Sequence, residues 1–76
     1  MKTLEDFVAL FAEQFDETDP STIKAETVFH ELDEWSSLIG LSIIAMVDEE
    51  FEKRITGADL RSVNTLEELY NLIQSK

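Results

Sequence analysis

Apolar residues fall at helical spacing in three stretches of this chain. Leu4, Phe7, Val8, Leu10, Phe11 and Phe15 recur close to every 3.6 positions and predict a first helix over residues 3–16. Thr3 stands in front of them as a cap, with Asp6 three positions on in a loose capping-box relation. The helix must stop before Asp19-Pro20, because the residue preceding a proline disfavours helical backbone. The second stretch is the strongest. Leu38, Ile39, Leu41, Ile43, Ile44, Ala45, Met46, Val47 and Phe51 predict a helix over residues 37–52, about 24 Å long. Its first ten residues carry almost no charge, and an apolar surface nearly all round implies contact on more than one side. Ser36 or Ser37 is its N-cap, and Lys53 and Arg54 stand where cations complement a helix C-terminus. The third stretch opens on a capping box, Thr65-Leu66-Glu67-Glu68, and carries the stripe Leu66, Leu69, Tyr70, Leu72 and Ile73, predicting a helix over residues 65–75.

The connections are less regular. Between Asp16 and Ser36, Pro20, Ser21, Thr22 and Thr27 are turn or cap residues, with one short helical turn expected near Ser21–Lys24. Ile23, Val28, Phe29 and Leu32 are spaced to pin this long loop onto the core. Gly57 allows a turn, a short helical turn follows over residues 57–62, and Val63 returns to the core. No strand alternation and no internal repeat is present. The expected fold class is all-α, a small three-to-four-helix bundle with a long first loop, forming a single domain over residues 1–76.

Composition narrows the function classes. Seventeen acids against six bases give a formal net charge of -11, spread along the chain rather than gathered in one tail. Such a surface repels nucleic acid and anionic lipid, whose binding draws on Lys and Arg, and it speeds encounter with basic protein patches. It also serves plain solubility. The chain has no cysteine, which excludes disulfides and fits a reducing compartment. No apolar run approaches the roughly 20 residues of a membrane span, and Met1-Lys2-Thr3-Leu4-Glu5-Asp6 has acids where a signal peptide needs an apolar stretch. A cytoplasmic monomer is expected.

The candidate chemistry sits in Asp33-Glu34-Trp35-Ser36-Ser37-Leu38, at the mouth of the apolar helix. A hydrolytic serine needs a base and an orienting acid. The chain offers one histidine, His30, and no nucleophile-elbow glycines. A serine placed to be modified, rather than to attack, fits better, and no catalytic residue is assigned. His30 reads as a surface or hydrogen-bonded structural residue. The acids from Asp48 to Glu52 lack the spaced oxygen ligands and glycine of a calcium loop, so no metal is assigned. Met46 belongs to the core. Gly40 costs about 1 kcal/mol within a helix. Close packing is its first explanation, and a gap left open on the helix surface its second.

The order of parts resembles the acyl carrier protein family, across essentially the whole chain. Ser37-Leu38 opens an aliphatic helix that ends in Asp48-Glu49-Glu50-Phe51, with Phe51 fourteen residues beyond Ser37 and Phe29 eight before it. Thr65-Leu66-Glu67-Glu68-Leu69 is similar to that family's last helix. The resemblance implies a covalent 4'-phosphopantetheine on the serine, attached by a phosphopantetheinyl transferase. The thiol of that arm holds acyl intermediates as thioesters and presents them to acyl-processing enzymes with basic docking patches. Fatty-acid, polyketide, aminoacyl and D-alanyl cargoes all fit it. Register selects Ser37, with Ser36 as second choice.

Two departures from the family pattern stand out. The aspartate usual before the modified serine is Ser36 here, and Ile39 and Ser42 replace acids that many relatives carry. The docking face expected from the residues is therefore Asp33, Glu34, Trp35, Leu38, Ile39, Asp48 and Glu49, steered by acids and held by an apolar first turn. Trp35 reads equally as an anchor or arm shield and as a loop aromatic folded on Phe29 or Leu32. Ile39 reads equally as a docking residue and as packing for the loop. The competing function is a small acidic helical interaction module with no prosthetic group, docking its apolar helix in a partner's groove.

Overall fold

Three of the four helices among the described residues begin with the same local device, a threonine cap answered by an acid three residues later. Thr3 with Asp6 opens α1 (Leu4–Ala12), Thr56 with Asp59 opens α3 (Gly57–Ser62), and Thr65 with Glu68 opens α4 (Leu66–Gln74). In each pair the acid's backbone N–H donates to the threonine hydroxyl, and the threonine's N–H donates to the carboxylate. The longest helix, α2 (Ser37–Phe51), is capped by Ser36 alone. The computed structural model describes residues 3–76, and among these the fold is all-helical, as the periodicity predicts. Met1 and Lys2, part of the segment read above against a signal peptide, lie outside the described residues. No helix among the described residues is long and apolar enough to cross a membrane.

α1 packs on α4 and α2, and α3 packs on α2. Aromatic rings join them from end to end. At one end Phe7 of α1 meets Phe51 of α2 at 5.6 Å and Tyr70 of α4 at 5.9 Å. Toward the other end Phe11 contacts Phe29 at 5.5 Å and Phe15 at 5.5 Å. Phe7, Phe11, Phe29, Ile43, Leu66, Leu69 and Ile73 are fully buried in one continuous core. Met46 lies in it too.

Three boundaries differ from the periodicity. α1 stops at Ala12, not at residue 16, yet Phe15 stays buried by turning back onto Phe11. The chain leaves the helix there because Glu34, remote in sequence, offers its carboxylate to the backbone N–H groups of Asp16, Glu17 and Thr18. The turn after α2 is made by Glu52, in left-handed backbone at φ 55°, whereas Gly57 is the first residue of α3. Lys53 and Arg54 therefore lie past that turn rather than along the last turn of α2. Lys53 Nζ reaches the carbonyl of Lys76. The expected turn near Ser21–Lys24 is a 3-10 turn at Pro20–Thr22, and a second one forms at Phe29–Glu31.

The long loop is fastened twice. Ile23 and Phe29 bury their side chains, and backbone hydrogen bonds tie it to the start of α4, Phe29 N–H to the Asn64 carbonyl at 3.2 Å and Glu67 N–H to the Ala25 carbonyl at 3.0 Å. An isolated antiparallel bridge pairs Val28 with Thr65.

Gly40 is not forced by close packing. A Cβ built there meets Leu60 Cδ1 at 3.5 Å and Trp35 Cζ2 at 3.9 Å, ordinary van der Waals distances. Gly40→Ala is therefore expected to stabilise the fold by about 0.5–1 kcal/mol, through helix propensity with no steric penalty. Urea unfolding checks this, and a lower midpoint than wild type would show a hidden constraint.

Candidate functional site

Ser36 and Ser37 stand at the start of α2 with different employments. Ser36 has extended backbone, and its Oγ accepts the Ile39 N–H at 3.3 Å, while its carbonyl accepts the Gly40 N–H at 2.9 Å. Its hydroxyl is thus committed to capping the helix. Ser37 is the first helical residue and is exposed. Its hydroxyl has no hydrogen-bond partner among the described residues. The N–H groups of Ser37 and Leu38 also lack intrahelical acceptors, as the first turn of any helix does.

The electrostatics of this turn are unlike those of its neighbours. At the third helical position, where α1, α3 and α4 carry Asp6, Asp59 and Glu68, α2 carries Ile39. No acid lies in the first turn of α2, so its positive dipole end has no counter-charge on that turn itself.

Glu34 and Trp35 hold the segment before the serines from two sides. The Glu34 carboxylate accepts the Thr18 hydroxyl at 2.8 Å and the Asp16, Glu17 and Thr18 N–H groups at 2.9, 3.1 and 2.9 Å. The Thr18 hydroxyl first, and those backbone donors after it, hold the Glu34 carboxyl below its ordinary value. Trp35 is half-buried, 4.9 Å from Phe29 and 5.6 Å from His30 between ring centroids, so it is folded inward on Phe29. His30 Nε2 donates to the Leu60 carbonyl at 2.9 Å, which satisfies a carbonyl at the end of α3 and gives the histidine a structural, hydrogen-bonded role.

The lowered Glu34 carboxyl fixes a sign for acid. A group whose folded pKa is depressed contributes stability above its unfolded pKa and loses it as pH falls through the folded value. Wild type is therefore expected to be more stable than Glu34→Gln at neutral pH. That advantage shrinks below the ordinary glutamate value of 4.5 and vanishes once Glu34 is protonated in the fold. Paired thermal midpoints across that range check it, and a gap that stays constant down to strong acid contradicts the latch.

Two cavities flank the serines. The larger, about 530 Å³, is lined by Glu17, Glu31, Asp33 and Glu34 with Thr18 and Leu32, and its charge repels anions. The smaller, about 350 Å³, lies between the start of α2 and α3 and includes both serines, Trp35, Gly40, Leu41, Ile44, Leu60 and Arg61. This second, mostly apolar groove is the one continuous with the free Ser37 hydroxyl. Among the described residues no group of three or more acids, histidines or cysteines is arranged to hold a metal ion.

The outer face of α2 carries the rest of the predicted surface. Leu38 is 72% exposed and Leu41 63% exposed, large values for apolar side chains. Helical spacing puts them on one stripe with Asp48 and Glu49, which are exposed about 15 Å further along. Asp33 is exposed at the mouth. Ile39 lies off this stripe, half-buried against the core. Leu41, not singled out from the sequence, joins the face in its stead, and its position three residues after Leu38 is the signal that places it there. Comparison of the chain with protein-family models, curated proteins and solved structures returns no match.

Proposed function

We propose that this chain is a carrier protein in which Ser37 bears a 4'-phosphopantetheine arm through a phosphodiester. The observation that carries this reading is the exposed, unengaged Ser37 hydroxyl on the acid-free first turn of α2, beside an apolar groove. The fit of the residues to the group is chemical. Free N–H donors and a positive dipole end favour a phosphate there. No carboxylate sits on that turn, and Arg61 lies in the groove. When attached, the arm supplies the thiol that a cysteine-free chain lacks, and acyl groups ride on it as thioesters. Ser37 provides the point of attachment, Ser36 holds the helix start, and Glu34 and Trp35 fix the approach to it. The chain itself catalyses nothing, and its partners are the transferase and acyl-processing enzymes with basic patches.

Docking follows from the stripe on α2. Exposed acids steer a basic partner and act mainly on association, whereas a buried apolar anchor acts mainly on dissociation. Asp48→Lys combined with Glu49→Lys is expected to slow association with a phosphopantetheinyl transferase, less so as salt rises. Leu38→Ala is expected to leave association nearly unchanged and to speed release about fivefold, about 1 kcal/mol. Stopped-flow binding at two salt concentrations measures both. Unchanged rates in both folded variants place the docking face elsewhere.

The exposed Leu38 and Leu41 also favour a second reading, an acidic helical interaction module with no prosthetic group. Intact mass after co-expression with a transferase separates the two, since only a carrier gains the arm.

A further inference from the structure

An open groove of about 480 Å³ runs along α1, and none of its lining residues belongs to α2 or α3. One wall is Val8, Ala9 and Ala12 of α1, and the other is Pro20 and Ser21 of the 3-10 turn. Asp19 holds that turn in shape. Its carboxylate accepts the Ser21 N–H at 3.0 Å and the Ser21 hydroxyl at 2.9 Å, and its carbonyl accepts the Thr22 hydroxyl at 2.7 Å. Val8 belongs to the apolar stripe of α1 yet is only half-buried, and Ala9 and Pro20 are exposed. The loop thus passes beside this face without covering it. Glu5 and Glu13 are exposed at the two ends of the α1 wall. Their separation in sequence places them about 12 Å apart along the helix. Among the described residues no base lines the groove.

We propose that this groove is a second docking surface, independent of Ser37, and that it seats a basic amphipathic helix of another protein. Charge decides the occupant. Two carboxylates bracket an apolar strip, on a chain whose formal net charge is -11. Nucleic acid and anionic lipid are repelled, and a second copy of the chain brings the same excess of acids. The spacing describes the helix that fits. Lys or Arg at positions i and i+7, with aliphatic side chains at i+3 and i+4, share one face. The two bases lie about 10 Å apart, within reach of Glu5 and Glu13 on their flexible stems. The short side chains of Ala9 and Ala12 let the helix approach closely. Its aliphatic pair leaves water against Val8, Ala12 and Pro20, while the end charges speed encounter and fix orientation. The lining shares no residue with the groove at Ser37 or with Leu38, Asp48 and Glu49, so a helix seated here leaves those residues uncovered.

The test uses the full chain and three synthetic helical peptides. One carries Lys at i and i+7 with Leu at i+3 and i+4, one has Glu in place of both lysines, and one has Ser in place of both leucines. Fluorescence anisotropy at physiological salt measures affinity, and amide chemical shifts locate the site. The Lys–Leu peptide is expected to bind and to shift residues of α1 and of the turn at Pro20–Thr22. The other two should bind about tenfold more weakly or worse. Glu5→Lys combined with Glu13→Lys should weaken the Lys–Leu peptide by about tenfold or more and strengthen the Glu peptide. Glu26→Lys combined with Glu67→Lys makes the same charge change at exposed positions elsewhere and should leave affinity within about twofold. Ala9→Tyr fills the groove from an exposed position and should abolish binding. Circular dichroism verifies that each variant keeps its fold. No binding of the Lys–Leu peptide, shifts centred on α2, or equal weakening by the two charge swaps overturns the proposal. Self-association of the wild-type chain that Ala9→Tyr abolishes gives the groove to a second copy and overturns the basic partner. Binding is read on the unmodified chain, so failure of the arm to attach overturns the carrier reading alone.

Discussion

Ser37→Ala is expected to gain no mass from coenzyme A and a competent transferase, while Ser36→Ala is modified in full. The two hydroxyls are neighbours in sequence but not in chemistry. Ser37 Oγ is exposed and without a partner among the described residues, so on the transferase it can lose its proton and attack the pantetheine-bearing phosphorus of coenzyme A, the pyrophosphate bond breaking and adenosine 3',5'-bisphosphate leaving, without disturbing the fold. Ser36 Oγ already accepts the Ile39 N–H. Esterifying it would disturb the cap that sets the start of α2. Ser36→Ala should therefore lose about 1 kcal/mol of stability with no loss of the modification site. Intact mass and thermal melting of the two variants separate the roles. Modification of Ser37→Ala together with none of Ser36→Ala would exchange the assignments.

The second large effect lies in the loop. Phe29 is fully buried, in contact with Phe11, His30 and Trp35, and its N–H is bound to the Asn64 carbonyl. Removing the ring leaves a cavity where four aromatic groups meet, a loss of about 3–5 kcal/mol. Small domains hold little in reserve, at or below the low end of the usual 5–15 kcal/mol. Phe29→Ala should thus lower the thermal midpoint by on the order of 15–30 °C, or abolish the cooperative transition altogether. Circular dichroism melting reads this directly. A midpoint within a few degrees of wild type would mean that the loop does not rely on Phe29, and that Trp35 and the serines are held by the Glu34 latch alone.

Helices with strong stripes and local caps were legible from residue types. Thr65 with Glu68, Thr3 with Asp6, and the apolar run from Leu38 to Val47 each act within one or two turns, and local patterns report local physics. What escaped depends on partners distant in the chain. Glu34 reads as one more surface acid, yet it gathers donors from residues 16–18 and ends α1 early. Glu52 takes the left-handed turn that glycine usually takes, because Thr56 and Asp59 claim the residues around Gly57 for the start of α3. Trp35 and Ile39 each admitted an inward and an outward reading, and both are half-buried, Trp35 against Phe29 and Ile39 against the core. At the candidate site the serine pair, the exposed Leu38 and the acids Asp48 and Glu49 follow from the sequence. The groove and the exposure of Leu41 need the packing of α3 against α2.

The central claim is that Ser37 carries a phosphopantetheine arm. Its most direct test is intact-mass measurement of the wild-type chain after incubation with coenzyme A, magnesium and a broad-specificity phosphopantetheinyl transferase, followed by fragmentation to locate the added group. The account predicts a complete shift by the mass of one 4'-phosphopantetheine, on Ser37 and on no other residue. An unmodified chain after exposure to several such transferases, with its helical fold intact, would contradict it.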